Sequence, residues 1–271
     1  MPQKNLQNRA TAVLAGNVLG GSSAVNMMMT IRGTTGDYNR WGSFFGGNSS
    51  WSWEGMLPYF RKALTFVPPN DDVAKSANII YDKSYWGAES GVKTSFPAFQ
   101  YPGTAAQFES WKGMPGVEFP PDSGSGIPGV YWYPQFMDPV TATRSYAKTG
   151  HWENRKGREN YHVITEKRVN KILLDGKVAT GVAFVSSGRT PGQAVQVKAS
   201  KEVILSAGAV HSPQVMQLSG LGPKALLQAA GIETIVDLPG VGQNFQDHPM
   251  LTVRWNRKWT WRNHIHLLRC T

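Results

Sequence analysis

The first segment that can do chemistry is a run of small residues, Gly20-Gly21-Ser22-Ser23. Glycines allow a ligand to approach the backbone, and successive amides before a helix offer partial positive charge to a phosphate. Ser22 adds a hydroxyl group, and we expect Asn26 to project from the first helical turn towards the same ligand. Glycine turns are also needed for steric reasons alone, so this segment by itself fits a phosphate site or a structural turn.

Two further clusters lie later in the chain. Ser206-Ala207-Gly208-Ala209 follows the apolar segment Val203-Ile204-Leu205, and its small residues allow either a dinucleotide or a neighbouring backbone to come close. Asp247 and His248 are adjacent at the end of a glycine-containing segment. Because neighbouring side chains on a strand or helix point in different directions, we interpret this pair as part of a turn and not as a catalytic dyad.

The sequence gives poor support to a metal site or a nucleophile. The single cysteine, Cys270, excludes an internal disulfide and a cysteine-based zinc site. No Gly-x-Ser-x-Gly segment is present, and no two histidines have the spacing of metal ligands on a helix. The histidines are at positions 151, 162, 211, 248, 264 and 266. We therefore predict no metal.

Net charge and hydropathy limit which classes of binding partner we predict for the chain. The chain has 28 basic and 18 acidic residues, a formal net charge of +10. Five of the basic residues and no acidic residue fall in 249–271, so the first 248 residues carry 23 against 18, or +5. We therefore predict a small-molecule partner and no nucleic acid. No apolar run reaches the roughly 18 residues of a membrane span, or resembles a signal peptide after Met1, so we predict no transmembrane segment and no particular compartment.

The first 150 residues contain few periodic segments. The pattern predicts a short helix after the glycine turn, a helix over Asp37–Trp41, a helix capped by Ser52 and, from 70 to 150, one helix over Thr104–Lys112. The region 70–150 is otherwise rich in glycine, proline and serine, which predicts an irregular insertion. Its large aromatic residues need burial, which argues against a linker. They are Trp86, Phe96, Phe99, Trp111, Tyr131 and Trp132.

Regular structure is predicted again after Tyr161. Strands are expected at 163–165, 169–174 and 178–185, and Asp175-Gly176 between the last two is a strong hairpin signal. A further strand pair brackets the polar turn Ser186–Gly192, and the apolar strand 203–205 is expected to lead into a helix over Pro213–Leu218. A strand followed by small residues and a helix is typical of the α/β class.

Taken together, the three clusters resemble the signatures of the glucose-methanol-choline (GMC) family of flavin oxidoreductases. The matching segments are Gly16–Trp41, Trp51–Phe60, Ser206–Gly222 and Gly242–Pro249. The resemblance covers roughly residues 2–255 and implies an α/β fold with α+β character. It implies a partial FAD-binding Rossmann-like domain with an inserted, incomplete substrate domain. The implied parts are 1–68 and 156–253 for FAD, 69–155 for the substrate cap, and an off-pattern tail at 254–271.

The resemblance implies FAD as cofactor. The residues that it places at the pyrophosphate and flavin are Gly20, Gly21, Ser22, Asn26, Met27, Met28 and Met29. It also implies that Val169 contacts the adenine side through its backbone. Some members attach FAD to a histidine just before the signature asparagine; because this position is Val25 here, we expect non-covalent FAD.

The implied reaction is hydride transfer from the CH–OH carbon of an alcohol to the flavin, assisted by a histidine base. The family's first strand and Gly-x-Gly-x-x-Gly turn are not found in residues 1–15, and its catalytic histidine lies beyond the third signature. We therefore expect a truncated sequence without catalytic residues, and poor FAD binding by the 271 residues alone. A catalytically inactive remnant, and a non-redox lyase or cyclase on the same scaffold, are the alternatives.

Overall fold

The computed structural model describes residues 2–3, 7–10, 12–46, 49–188 and 192–247. The chain divides into two compact units, Met1–Val163 (unit 1) and Ile164–Thr271 (unit 2). Helices and strands occur in both, which confirms the α/β class. No helix in these ranges has both the length and the apolar character that spanning a bilayer requires.

Unit 1 is built from short elements joined by long irregular segments. Its strands are β1 (Pro2–Gln3), β2 (Arg9–Ala10), β3 (Thr65–Val67), β4 (Lys93–Ser95), β5 (Met137–Asp138) and β6 (Thr143–Arg144). Its α-helices are α1 (Thr35–Ser43), α2 (Trp53–Ala63), α3 (Asp71–Ala77) and α4 (Pro102–Trp111). Single turns of 3-10 helix lie at Gly21–Ala24 and Lys83–Tyr85, and a π-helical turn lies at Lys148–Trp152. Strands β3 and β4 pair in parallel, and the pairs β1–β2 and β5–β6 are antiparallel.

Polar side chains cap the starts of α1, α2 and α3, whereas α4 has no side-chain cap and begins at Pro102. Thr34 and Asp37 form a capping box at α1, and the Ser52 side chain accepts a hydrogen bond from the Gly55 amide at α2. The predicted helices at 37–41, 52 onwards and 104–112 are confirmed. Helix α3, which Asn70 caps, was not expected in the region 70–150.

Aromatic residues form the core of unit 1. Phe66 stacks on Trp86 with ring centroids 5.2 Å apart, and Phe96 meets Phe66 edge to face at 6.2 Å. Trp132 belongs to the same buried cluster. The expected burial is confirmed for Trp86, Phe96 and Trp132, whereas Phe99 is 62% exposed and contacts the Tyr101 ring on the surface.

Unit 2 is more regular. Its strands are β7 (Lys167–Asp175), β8 (Val178–Ser186), β9 (Val195–Lys198), β10 (Leu221–Gly222) and β11 (Val236–Asp237), and its helices are α5 (Gly208–Leu218) and α6 (Lys224–Ala229). Strands β7, β8 and β9 form an antiparallel sheet in that order, and β10 pairs with β11 in parallel. Gly176 takes a φ of 56° in the β7–β8 turn, as the Asp-Gly signal predicted.

Three expected elements are absent from the residues that the structure describes, and one expected helix begins earlier than predicted. Residues 163–165 and 203–205 form no strand, and Ile204 is 78% exposed, because no described strand lies beside either segment to pair with it. The helix after 203–205 begins at Gly208 and not at Pro213. After the glycine turn the chain makes a single 3-10 turn instead of the expected short helix, since Val25, which ends the turn, has a non-helical φ of −126°.

Candidate cofactor-binding site

The segment Gly16–Met29, here called the glycine loop, folds back on itself through backbone groups. The Gly21 amide donates to the Val18 carbonyl at 2.8 Å, and the Gly16 amide donates to Ser22 Oγ at 3.1 Å. Gly20 has a φ of 98°, which any residue with a Cβ adopts only at a cost. A Cβ on Gly20 would also lie 2.9 Å from Cδ2 of Tyr146. The sequence requires glycine at this position for both reasons.

Several polar groups of the glycine loop remain available to a ligand. Gly21 has a φ of 56° and no atom within 4 Å of the position where a Cβ would stand. Ser22 is exposed, and within the described residues its hydroxyl hydrogen makes no hydrogen bond. Asn26 accepts the Met28 amide at 3.1 Å through Oδ1, while its Nδ2 donates to no described group. The loop therefore presents open backbone and unused donors, which is the chemistry that a phosphate or flavin carbonyl needs.

Asn26 does not occupy the predicted position on a helical turn. It follows the 3-10 turn, its backbone amide donates to the Ser22 carbonyl at 3.0 Å, and its Oδ1 fixes the turn at Met28. An asparagine that bonds the amide two residues ahead forms an Asx turn, which competes with helix formation. Asn26 thus shapes the loop in addition to presenting a donor.

The end of the glycine loop is held by a backbone ladder. The Phe136 amide donates to the Met28 carbonyl at 2.7 Å, and the Thr30 amide donates to the Pro134 carbonyl at 3.0 Å. Gln135 in turn exchanges hydrogen bonds with Ser95 of β4, at 2.8 and 2.9 Å. Residues 28–30 therefore lie at the edge of a small sheet, in which residues 134–136, β4 and β3 follow in that order. No sequence signal pointed to this pairing.

Apolar side chains of the loop face solvent. Met27 is 71% exposed, and Val25 and Met29 are exposed as well. Three apolar side chains within five residues, beside unused polar donors, form a mixed surface that a ligand with both a charged and a flat apolar part would cover.

Arg32 lies just beyond the loop in a buried position. Its guanidinium lies 4.6 Å from the Trp86 ring centroid and 5.3 Å from that of Phe60, and Nη1 donates to the Gly124 carbonyl at 3.0 Å. Burial lowers the pKa of Arg32 to about 10, while the Asp122 charge opposes this shift. Asp122 is itself buried and accepts Trp86 Nε1 at 3.0 Å. Arg32 therefore stays protonated near neutral pH and anchors the chain that follows the loop.

An aromatic cavity of about 220 Å³ adjoins the same ladder. Gln135, which pairs with Met29, contributes to its lining. The stacked rings of Phe108 and Trp132, with centroids 5.4 Å apart, also line it. The remaining lining residues are Pro97, Gln100, Thr104, Gln107, Trp111, Val130, Tyr131 and Tyr133. Its walls suit a small planar or apolar group with one or two hydrogen-bonding atoms.

A sequence profile described as GMC oxidoreductase matches residues 4–250 of the chain. The chain belongs to the GMC oxidoreductase family. A dehydrogenase of Emericella nidulans, xptC, is 40% identical over 248 residues, which are 91% of this chain and 39% of that protein. A GMC oxidoreductase family protein of Malassezia sympodialis, Mala s 12, is 37% identical over 251 residues, 91% of this chain and 40% of that protein.

Solved structures agree with this assignment. A FAD-dependent oxidoreductase from Chaetomium thermophilum superposes with a TM-score of 0.85 and 41% identity, covering 91% of this chain and 42% of that chain. A fungal aryl-alcohol oxidase gives a TM-score of 0.83 and 35% identity, over 89% and 41%. The chain thus spans about 40% of the length of these GMC relatives.

Val169, the residue that the GMC resemblance places at adenine, lies in unit 2. It is in β7, an outer strand of the described three-stranded sheet, and pairs with Phe184 next to a β-bulge between Val169 and Lys171. An outer strand leaves half of its backbone groups outside the ladder, so β7 can offer such groups to a planar ligand.

The other candidate clusters lie outside the glycine loop, in unit 2. Ser212 Oγ accepts the Ala207 amide at 3.0 Å, so the small-residue cluster Ser206–Ala209 leads into α5 through a side-chain bond. His211 Nδ1 lies 2.8 Å from Oε1 of Gln214 on the same helix. His248 lies outside the described residues. Within the described residues, no group of three or more His, Cys, Asp or Glu side chains is arranged to hold a metal.

Proposed function

We propose that the chain is part of an FAD-dependent GMC oxidoreductase that oxidises the CH–OH group of a small alcohol, and that the glycine loop holds FAD. The observation that supports this most is the loop itself, in which open glycine backbone, unused donors of Ser22 and Asn26 and exposed apolar side chains lie within ten residues. The FAD-dependent relative from Chaetomium thermophilum supports the same cofactor.

The residues of the glycine loop have different roles in the proposed binding of FAD. Gly20 and Gly21 allow the pyrophosphate to approach the backbone, and the Ser22 hydroxyl donates to a phosphate oxygen. Asn26 Nδ2 donates to an acceptor on the cofactor, and Met27, Met28 and Met29 line the flavin with apolar side chain and backbone. FAD, when bound, supplies the hydride acceptor.

Two features complete the cofactor proposal. Val25 has no nucleophilic atom, so FAD is held non-covalently. Val169 supports the adenine through the backbone of β7. In this proposal residues 1–68 and 156–253 belong to the FAD domain and 69–155 to the substrate cap, whose aromatic cavity receives the organic part of the alcohol. We assign no catalytic residue to this chain.

Hydrogen exchange of the whole chain with saturating FAD tests the cofactor site. We expect FAD to protect amides in residues 16–30 and to leave β9 unchanged. Met27→Asp should abolish this protection, because it places a charged, strongly hydrated carboxylate where the apolar flavin is proposed to lie, on a side chain that is 71% exposed. Val178→Asp, at a side chain that is 67% exposed in unit 2, is the matched control. Absence of FAD-dependent protection in a chain whose β3 and β4 amides, in the same unit as the loop, are protected would refute the cofactor site.

Sequencing the transcript on both sides of this coding region tests the proposed reaction. We expect a glycine fingerprint upstream and a histidine pair downstream. The protein encoded by that transcript should bleach its flavin when an alcohol is added without oxygen. Turnover without flavin bleaching would favour a lyase or cyclase instead.

A further inference from the structure

Arg144, at the end of β6, binds the glycine loop through both ends of its guanidinium. Nη1 donates to Asn26 Oδ1 at 2.7 Å and to the Ser23 carbonyl at 3.2 Å, and Nη2 donates to the Asn26 carbonyl at 2.9 Å. Asn26 Oδ1 is the same atom that accepts the Met28 amide. One side chain, 118 residues away in sequence, therefore fixes the orientation of the Asn26 amide and the turn that follows it.

The residues after Arg144 contact the same loop. The Ala147 amide donates to Ser23 Oγ at 3.2 Å, and Ser23 Oγ donates to the Gly20 carbonyl at 2.5 Å. The Tyr146 ring lies against Gly20, where it would meet a Cβ. Segment 144–147 is thus a second part of the chain, besides the ladder at residues 134–136, that contacts the loop.

Arg144 is held rigidly by its neighbour in sequence. Ser145 is buried, its Oγ accepts the Lys93 amide at 2.8 Å, and its own amide donates to the Phe136 carbonyl at 3.0 Å. The backbone at Arg144 is therefore hydrogen-bonded into the region of β4 and β5. These bonds fix the backbone position from which the guanidinium contacts the loop.

Arg144 forms no ion pair with any residue in the part of the chain that the structure describes. Among the described residues no carboxylate lies within 4 Å of its guanidinium. All of its described hydrogen bonds go to the loop. A planar fork with three bonds on one short segment defines an orientation, which a lysine ammonium cannot reproduce.

We propose that Arg144 is the positioning residue of the glycine loop: its forked hydrogen bonds hold Ser23–Met28 in the conformation that receives FAD. The assignment rests on the proposed function for the cofactor but concerns a residue that none of the sequence motifs includes. Arg144 acts through Asn26 and Ser23, not by touching the reacting atoms.

The test compares Arg144→Ala and Arg144→Lys with Arg155→Ala, a matched control at an exposed arginine without described side-chain contacts. Hydrogen exchange of the ligand-free chain is measured first. We expect both Arg144 variants to speed exchange across residues 21–28 by about tenfold, the size expected when charge-assisted hydrogen bonds are lost. Protection of β3, β4 and β7–β9 and the melting temperature should not change.

FAD titration of the same variants then gives the functional readout. We expect the FAD dissociation constant to rise about tenfold in both Arg144 variants and not in Arg155→Ala. A wild-type dissociation constant for Arg144→Lys would overturn the proposal, because charge alone would then suffice. Unchanged exchange in residues 21–28 of the Arg144 variants would also overturn the proposal, as would loss of protection throughout unit 1. If the wild-type chain itself fails to bind FAD, the cofactor assignment fails, while the exchange data still decide whether Arg144 holds the loop.

Discussion

The two units are held together by different kinds of hydrogen bond. In unit 2, β7 and β8 have nine residues each and are joined by a two-residue turn, so most of their hydrogen bonds close over short distances in sequence. In unit 1 the strands have two or three residues. There the glycine loop is fixed by bonds from Arg144, 118 residues away, and by the ladder at Gln135.

The difference indicates which substitutions should destabilise each unit. A backbone ladder tolerates many side chains, because the hydrogen bonds belong to the main chain. Unit 1 instead depends on individual side chains such as Trp86 and Arg32, which connect segments that have no ladder in common. We expect single substitutions to damage unit 1 more than unit 2, and we expect the candidate site to be lost with the long-range contacts of unit 1.

The largest effect is expected from Trp86→Ala. Trp86 is 4% exposed, stacks on Phe66, lies under the Arg32 guanidinium and donates to Asp122. Removing it leaves a cavity, takes the ring away from the Arg32 guanidinium and removes one hydrogen bond to the buried Asp122, at a cost of about 3–5 kcal/mol. Hydrogen exchange should show loss of protection in unit 1 with β7–β8 preserved.

Trp51→Ala is the control for this substitution, because Trp51 is 48% exposed and contacts only Trp41 and Phe45 among described rings. It should cost less than about 1 kcal/mol. If Trp86→Ala reduced protection equally in both units, the contrast between them would be wrong.

A smaller effect is expected at Ser219, a buried side chain of unit 2 that connects two elements as the side chains of unit 1 do. Ser219 is 1% exposed; its Oγ accepts the Ile172 amide of β7 at 2.8 Å and donates to the Val215 carbonyl at 2.6 Å. Ser219→Ala leaves that amide buried without a partner, which costs about 1–3 kcal/mol. Urea unfolding followed by a unit 2 probe measures this, with the exposed Ser187→Ala as control. Equal stability of the two variants would show that apolar packing, and not this hydrogen bond, holds α5 to β7.

The same contrast explains what could be predicted from the sequence. The Asp175-Gly176 hairpin, the Ser52 cap and the glycine turn were identified because each depends on neighbours in sequence. The contacts of Arg144 and Gln135 with the loop were missed, since nothing local marks a residue whose partner is more than 100 positions away. Ile204 was predicted in a buried strand from its apolar neighbours, but a strand also needs a partner, which local sequence does not reveal.

The smallest change in stability is expected from a substitution in the β7–β8 turn, the Asp-Gly turn that the sequence predicted. Gly176 and Gly188 both have open space where a Cβ would stand, but only Gly176 has a positive φ, 56°. Alanine at Gly176 must adopt the left-handed conformation, which costs about 1 kcal/mol, whereas Gly188→Ala should change stability by less than about 0.5 kcal/mol. Urea unfolding of both variants gives the difference directly. Because the two substitutions are matched in size and space, a lower stability of Gly176→Ala isolates backbone strain. Equal stabilities would mean that the nine-residue ladder, and not the turn, determines the hairpin.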